Sequence, residues 1–189
     1  MPDLGLTTHA HRDFKFLELE MGYKRTESTP YRVRFESPSV FVELLFDGDR
    51  SFELGLLVGE NCSPSCAYSI DEILWLRRAP DASTFSLIQV TTRAAMGAWL
   101  RKLAKALRSY GRDLIAGNKT SFSELANQRH AYVRTYALES RLACARAEAG
   151  LAWRKKDYAS VVKALKPVRA ALTAAEVGKL EFAESHCSE

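Results

Sequence analysis

Three stretches decide the fold: Tyr31-Arg32-Val33-Arg34-Phe35-Glu36, Val40-Phe41-Val42-Glu43-Leu44-Leu45-Phe46, and Phe52-Glu53-Leu54-Gly55-Leu56-Leu57-Val58. In the first, apolar and charged residues alternate with period two, the signature of a half-buried strand. The second is apolar at every position except Glu43, which is the pattern of a central strand covered on both faces. Asp47-Gly48 between the second and third is a tight-turn signal, because Gly adopts a positive φ without steric cost. The expectation is a three-stranded antiparallel sheet between residues 30 and 59.

Outward from the sheet the period becomes helical. Thr8 to Met21 reads as an N-terminal helix, with Phe14, Leu17 and Met21 on one face and Gly22 as its stop. Ser69 and Glu72 fit a capping box opening a short helix that closes near Pro80, and residues 81–92 are ambiguous between connector and strand. From Thr92 the chain is helical to its end. Met96, Trp99/Leu100, Leu103, Leu107, Tyr110 and Leu114 make one apolar stripe, with Gly111 as its weak point. A second capping box is expected at Ser121 and Glu124, and residues 121–156 read as one helix or as two with a break near Ala137 or Glu139. Asp157 caps a helix to Leu172, kinked at Pro167, and Thr173 with Glu176 caps the last. The fold class is therefore α+β: an N-terminal helix, an antiparallel sheet, then an all-helical C-terminal half. Residues 1–80 and 92–189 are expected to pack as one domain.

The chain has 189 residues, of which 47% are hydrophobic and 26% charged, with 10 Gly and 6 Pro. Such a chain buries roughly 70% of its unfolded surface, so neither disulfides nor a structural metal is required. The composition excludes disorder and collagen. Residues 1–11 carry no Lys or Arg, unlike a secretory signal, and the apolar run at Val40–Phe46 is too short to span a bilayer. A cytoplasmic protein with free thiols is expected. The net charge of +4 divides into −4 over residues 1–80 and +8 over residues 81–189.

Few residues bear chemistry. His9-Ala10-His11-Arg12-Asp13 resembles the His-x-His-x-Asp-His zinc signature of metallo-β-lactamase-type hydrolases, but Phe14 replaces the final His and other ligands are scarce. Cys62 and Cys66 have zinc-like spacing without a clear second pair, although His186-Cys187 completes four ligands on paper. A plain loop with two thiols accounts for them, a redox bridge being the alternative. Asp47-Gly48-Asp49 lacks the remaining calcium ligands of an EF-hand loop. No phosphate loop or nucleophile elbow is present. These absences lead to the expectation of a non-enzymatic protein without a cofactor.

The basic cluster has more substance, with a net +6 over residues 93–119. Arg101, Lys105, Arg108 and Arg112 are spaced by four, three and four, so they line one helical face opposite the Leu stripe. They are the candidate contacts for a protein partner or an anion. Nucleic acid is the weaker alternative, because no aromatics that would stack bases are interleaved.

Two resemblances add expectations. Residues 140–186, with Ala149-Gly150-Leu151-Ala152-Trp153 and Asp157-Tyr158, resemble one tetratricopeptide-type helical hairpin, one repeat being too few for a solenoid. Phe16-Leu17-Glu18-Leu19-Glu20-Met21-Gly22-Tyr23, the hairpin at Asp47 to Leu54, and Tyr110-Gly111-Arg112-Asp113-Leu114 are similar to a group of small bacterial proteins of unassigned function. Proteins of this general build resemble toxin-neutralising immunity proteins. That resemblance implies a protein partner such as a toxin, and neither membrane contact nor catalysis is expected.

Overall fold

The structure, a computed structural model, describes residues 3–61 and 67–187. The chain divides into two compact units, Met1–Gln128 and Arg129–Glu189.

The first unit is built on an antiparallel sheet of five strands in sequential order: β1 (Lys24–Ser28), β2 (Arg32–Glu36), β3 (Val40–Phe46), β4 (Leu54–Glu60) and β5 (Ala67–Ser69). The three expected strands are its centre, and β3 is the middle one. The two others escape sequence reading. Lys24-Arg25-Thr26-Glu27-Ser28 has no apolar residue to set a period, and β5 is only three residues long. Both exist because a neighbouring strand offers unpaired N–H and C=O groups.

Val33, Phe35, Val42, Leu44, Leu56 and Val58 point from one sheet face into the main core. That core is completed by α1 (Leu6–Asp13), α2 (Lys15–Met21), α3 (Ile70–Leu76), α4 (Arg93–Tyr110) and α5 (Arg112–Ile115). The single N-terminal helix expected from Thr8 to Met21 is thus two. They join at Phe14, whose φ of −102° and ψ of 10° leave the helical region, while its ring is fully buried and stacks on Phe16 and Phe35. The bend directs neighbouring aromatics into one core. Gly111 likewise separates α4 from α5. Tyr23 donates to the carbonyl of Ile115 at 2.7 Å, and burial pushes its phenol up to about 12.

The opposite sheet face carries Arg32, Arg34, Phe41, Glu43, Gly55 and Gly59. Glu43 is buried and sits opposite Arg34 in register. Arg32 reaches its carboxylate at 2.5 Å and Arg34 at 3.2 Å. The Arg34 guanidinium also lies 3.8 Å from the centre of the Phe41 ring, which itself covers Gly59.

Capping follows the sequence at Ser69/Glu72, Asp157 and Thr173/Glu176. It does not at Ser121. There α6 (Lys119–Arg154) starts earlier, and Asn118 Oδ1 accepts from the N–H groups of Thr120 and Ser121. The Ser121 hydroxyl instead donates to Asp113, which also receives Arg77. Helix α6 is continuous through 36 residues, without the break considered near Ala137 or Glu139.

In the second unit the later part of α6 packs with α7 (Tyr158–Leu165) and α8 (Ala174–His186). Ala145, Ala149, Ala152, Val161, Leu165 and Leu180 form its core. Pro167 does not kink one long helix: α7 ends at Leu165, and Lys166–Ala171 is a 3₁₀ turn with the proline near its start. Arg146 binds Glu176 at 2.6 Å, and this pairing, with the Thr173 N–H, holds the Glu176 carboxyl down at about 2. Residues 130–141 of α6 are exposed on every side.

The sheet makes a paired prediction. A Cβ at Gly59 would lie 2.6 Å from the Phe41 ring and 3.1 Å from the Ala67 Cα, whereas one at Gly55 meets nothing within 4 Å. Gly59→Ala is expected to destabilise by about 1–3 kcal/mol through overpacking. Gly55→Ala should stay within about 0.5 kcal/mol in the same urea titration.

Candidate functional site

Helix α4 owes its orientation to two stripes. Met96, Leu100, Leu103 and Leu107 are fully buried in the main core, so the residues opposite them must face water. Thr92 caps the helix by accepting from the Ala95 N–H at 3.2 Å. Gly97 lets α1 approach, since a Cβ there would lie 2.7 Å from the His9 ring.

Arg101, Lys105, Arg108 and Arg112 all lie exposed, the first three on α4 and Arg112 at the start of α5. They are not equivalent. Arg108 extends to Glu20 of α2, donating to both carboxylate oxygens at 2.7 and 2.8 Å, and its guanidinium lies 4.6 Å from the Phe16 ring centre. It is therefore an internal clasp between the basic helix and the acidic N-terminal segment. Arg101, Lys105 and Arg112 have no carboxylate within ion-pair distance among the described residues. Sequence spacing placed the four on one face but could not separate the one that is taken.

A cleft that the sequence did not reveal flanks this ridge. It lies between α3, the 3₁₀ turn Ala82–Phe85 and α4, and encloses about 710 Å³. Phe85, Trp99 and Tyr110 line it together with Lys102 and Lys105. The sequence signal was only that Trp99 and Tyr110 belong to the apolar stripe. Their exposed edges depend on where residues 79–85 run.

The His-x-His motif does not assemble. The His9 ring turns onto Gly97, while His11 faces solvent, 3.1 Å from Arg25 and 3.9 Å from Glu18. Asp13 is held by Arg12 at 2.8 Å. Among the described residues no three His, Cys, Asp or Glu side chains converge as metal ligands. Cys62 and Cys66 lie outside the described residues. Cys144 and Cys187 are free and exposed, and His186 stacks on Phe182 with ring centres 4.0 Å apart. No helix among the described residues is long and apolar enough to cross a membrane. Comparison with known protein families, curated proteins and solved structures finds no match.

His9 has one further property. Both its ring nitrogens are shielded from water and lack a hydrogen-bond partner. Desolvation, then the nearby Arg12, lower its pKa; Asp13 opposes them, and Arg93 and Arg101 add smaller lowering contributions. The folded chain therefore resists protonation more than the unfolded chain does. Stability is present above the ordinary imidazole range near 6.5 and declines as pH falls through the lowered folded value. Thermal melts between about pH 7.5 and about pH 5.5 should show a larger loss for the wild type than for His9→Leu.

Proposed function

We propose that this protein works by binding another protein, without catalysing a reaction, and that the partner docks on the exposed ridge of α4 and α5. The observation that carries this reading is the unpaired state of Arg101, Lys105 and Arg112. Arg12, Arg32, Arg34, Arg77, Arg108, Arg146 and Arg169 all meet carboxylates. Three neighbouring cations on one helical face, none neutralised by a carboxylate among the described residues, present a field to something outside the chain. Such a field accelerates encounter with an acidic surface and orients it. A toxin neutralised by this chain is the partner that the immunity-protein resemblance implies. The ridge then demands a toxin with an acidic face, since a nuclease cleft built for phosphates would be repelled.

A nucleic-acid reading has one observation in its favour. Tyr132 and Tyr136, 70% and 64% exposed, stack with ring centres 6.4 Å apart on α6, on either side of Arg134 in sequence. Exposed rings beside a cation suit unstacked bases. These rings are not on the basic ridge, so protein binding is the better-supported function.

The test compares wild type with the triple variant Arg101→Glu, Lys105→Glu, Arg112→Glu in cross-linking followed by identification of the captured protein. Three exposed reversals cost within about 0.5 kcal/mol each, so the melting temperature should move by only a few degrees. The wild type is expected to capture one partner that the variant loses. Equal capture by the variant overturns the ridge. Binding to mixed-sequence duplex or single strand that strengthens as salt falls, with no protein captured, favours the rival.

A further inference from the structure

The cleft beside the ridge has a mismatch between what it offers and what the chain puts into it. Its floor is apolar, made by Leu74 of α3, Ala106 of α4 and the rings of Phe85, Trp99 and Tyr110. Phe85 meets Trp99 edge to face, with centres 5.9 Å apart at 80°, so the two rings stand as a rigid corner. Its rim is rich in donors: Lys102, Lys105, the Ser109 hydroxyl and the Tyr110 hydroxyl. The Lys102 ammonium lies 4.4 Å from the Trp99 ring centre. Among the described residues none of these four donates to a protein carboxylate. Asp81 is the one acidic side chain in the lining.

An aromatic floor beneath unpaired donors fits a guest with an apolar body and acceptor groups around it. Lys105 belongs to both the cleft and the ridge, so the same guest meets Arg101 and Arg112 just outside. Interfaces concentrate their binding energy in an apolar anchor seated in a pocket and ringed by polar contacts. We propose that the cleft receives one large apolar side chain from an acidic segment of the protein partner, whose carboxylates lie on Lys102 and Lys105. The inference rests on the partner-binding reading and names the chemistry of the partner: acidic, with an aromatic or leucine anchor. Charge complementarity commits it to that occupant, because Lys102 and Lys105 of the lining and the neighbouring Arg101 and Arg112 all call for carboxylates.

The probe is a short synthetic peptide of Asp and Glu residues with one central Trp, fluorescein-labelled, titrated by polarisation against the full-length protein. A companion peptide carries Ala in place of the Trp. The wild type should bind the Trp peptide at least about tenfold more tightly than the Ala peptide. Ser109→Trp, at an exposed position on the rim, fills the cleft from the chain itself and should weaken binding about tenfold or more. The double variant Lys102→Glu, Lys105→Glu should do the same, and matched melting curves identify which variants are folded. Equal affinity for both peptides, undiminished binding by Ser109→Trp, or no binding up to about 1 mM overturns the cleft. Arg101→Glu with Arg112→Glu lies outside the cleft lining and separates the two readings. If that pair abolishes capture of the natural partner while Ser109→Trp leaves peptide affinity unchanged, the ridge stands and the cleft falls. If Ser109→Trp abolishes peptide binding while the ridge variants still capture the partner, the ridge falls instead.

Discussion

A strand buried on both faces must be covered twice, and β3 meets this demand with a carboxylate in its middle. Burying Glu43 unpaired would cost several kcal/mol, so the strand is tolerable only where Arg32 and Arg34 reach it. These arginines belong to β2, opposite Leu45 and Glu43 in the ladder. Sliding the pairing by one residue would turn Glu43 toward the face of Phe35 and Leu56 and expose the valines and Leu44 of β3. The ion pairs therefore act less as a source of stability than as a lock on register. With register fixed, Val42, Leu44, Leu56 and Val58 present one continuous apolar face, and the main core that also takes the leucines of α4 can form on it.

The functional surface is a consequence of that docking. Once Leu100, Leu103 and Leu107 are committed to the main core, the helical repeat leaves the cations outward. The helix borders different neighbours along its two flanks. On one, Arg108 is drawn to Glu20 and Phe16, which ties the basic segment to the acidic one. On the other, Lys102 and Trp99 meet the turn that follows α3 and form a wall of the cleft. One helix thus spends a cation on internal cohesion and keeps others free. The −4 and +8 halves of the sequence meet on this ridge only at Arg108 among the described ion pairs, so charge segregation is mostly left to external use.

The second unit relies on smaller side chains and on rings. Ala145, Ala149 and Ala152 let α6 approach α7 and α8 closely, and Trp153, Tyr158 and Phe182 meet within 5.5 to 5.8 Å at its edge. The long α6 exposes residues 130–141 entirely, which explains why its sequence shows no single apolar face: two stretches are buried, separated by one that is not.

What the sequence determined by itself was everything encoded in short-range pattern. Period-two alternation marked β2 and β4, a nearly unbroken apolar run marked β3, a spacing of three and four marked α4, and Ser69/Glu72 and Thr173/Glu176 marked two helix starts, because each signal is written within a few residues. Tertiary structure decided the rest. Lys24–Ser28 became a strand only because β2 offered it a ladder, and the N-terminal helix broke because Phe14 and Phe16 were both needed in one core. Ser121 gave up its expected capping box to meet Asp113, itself paired with Arg77. The candidate surface divides in the same way. The alignment of Arg101, Lys105, Arg108 and Arg112 is a property of one helix and was legible. The capture of Arg108 by Glu20, 88 residues away, and the cleft formed where α3, a 3₁₀ turn and α4 converge, depend on contacts between distant segments that no local period records.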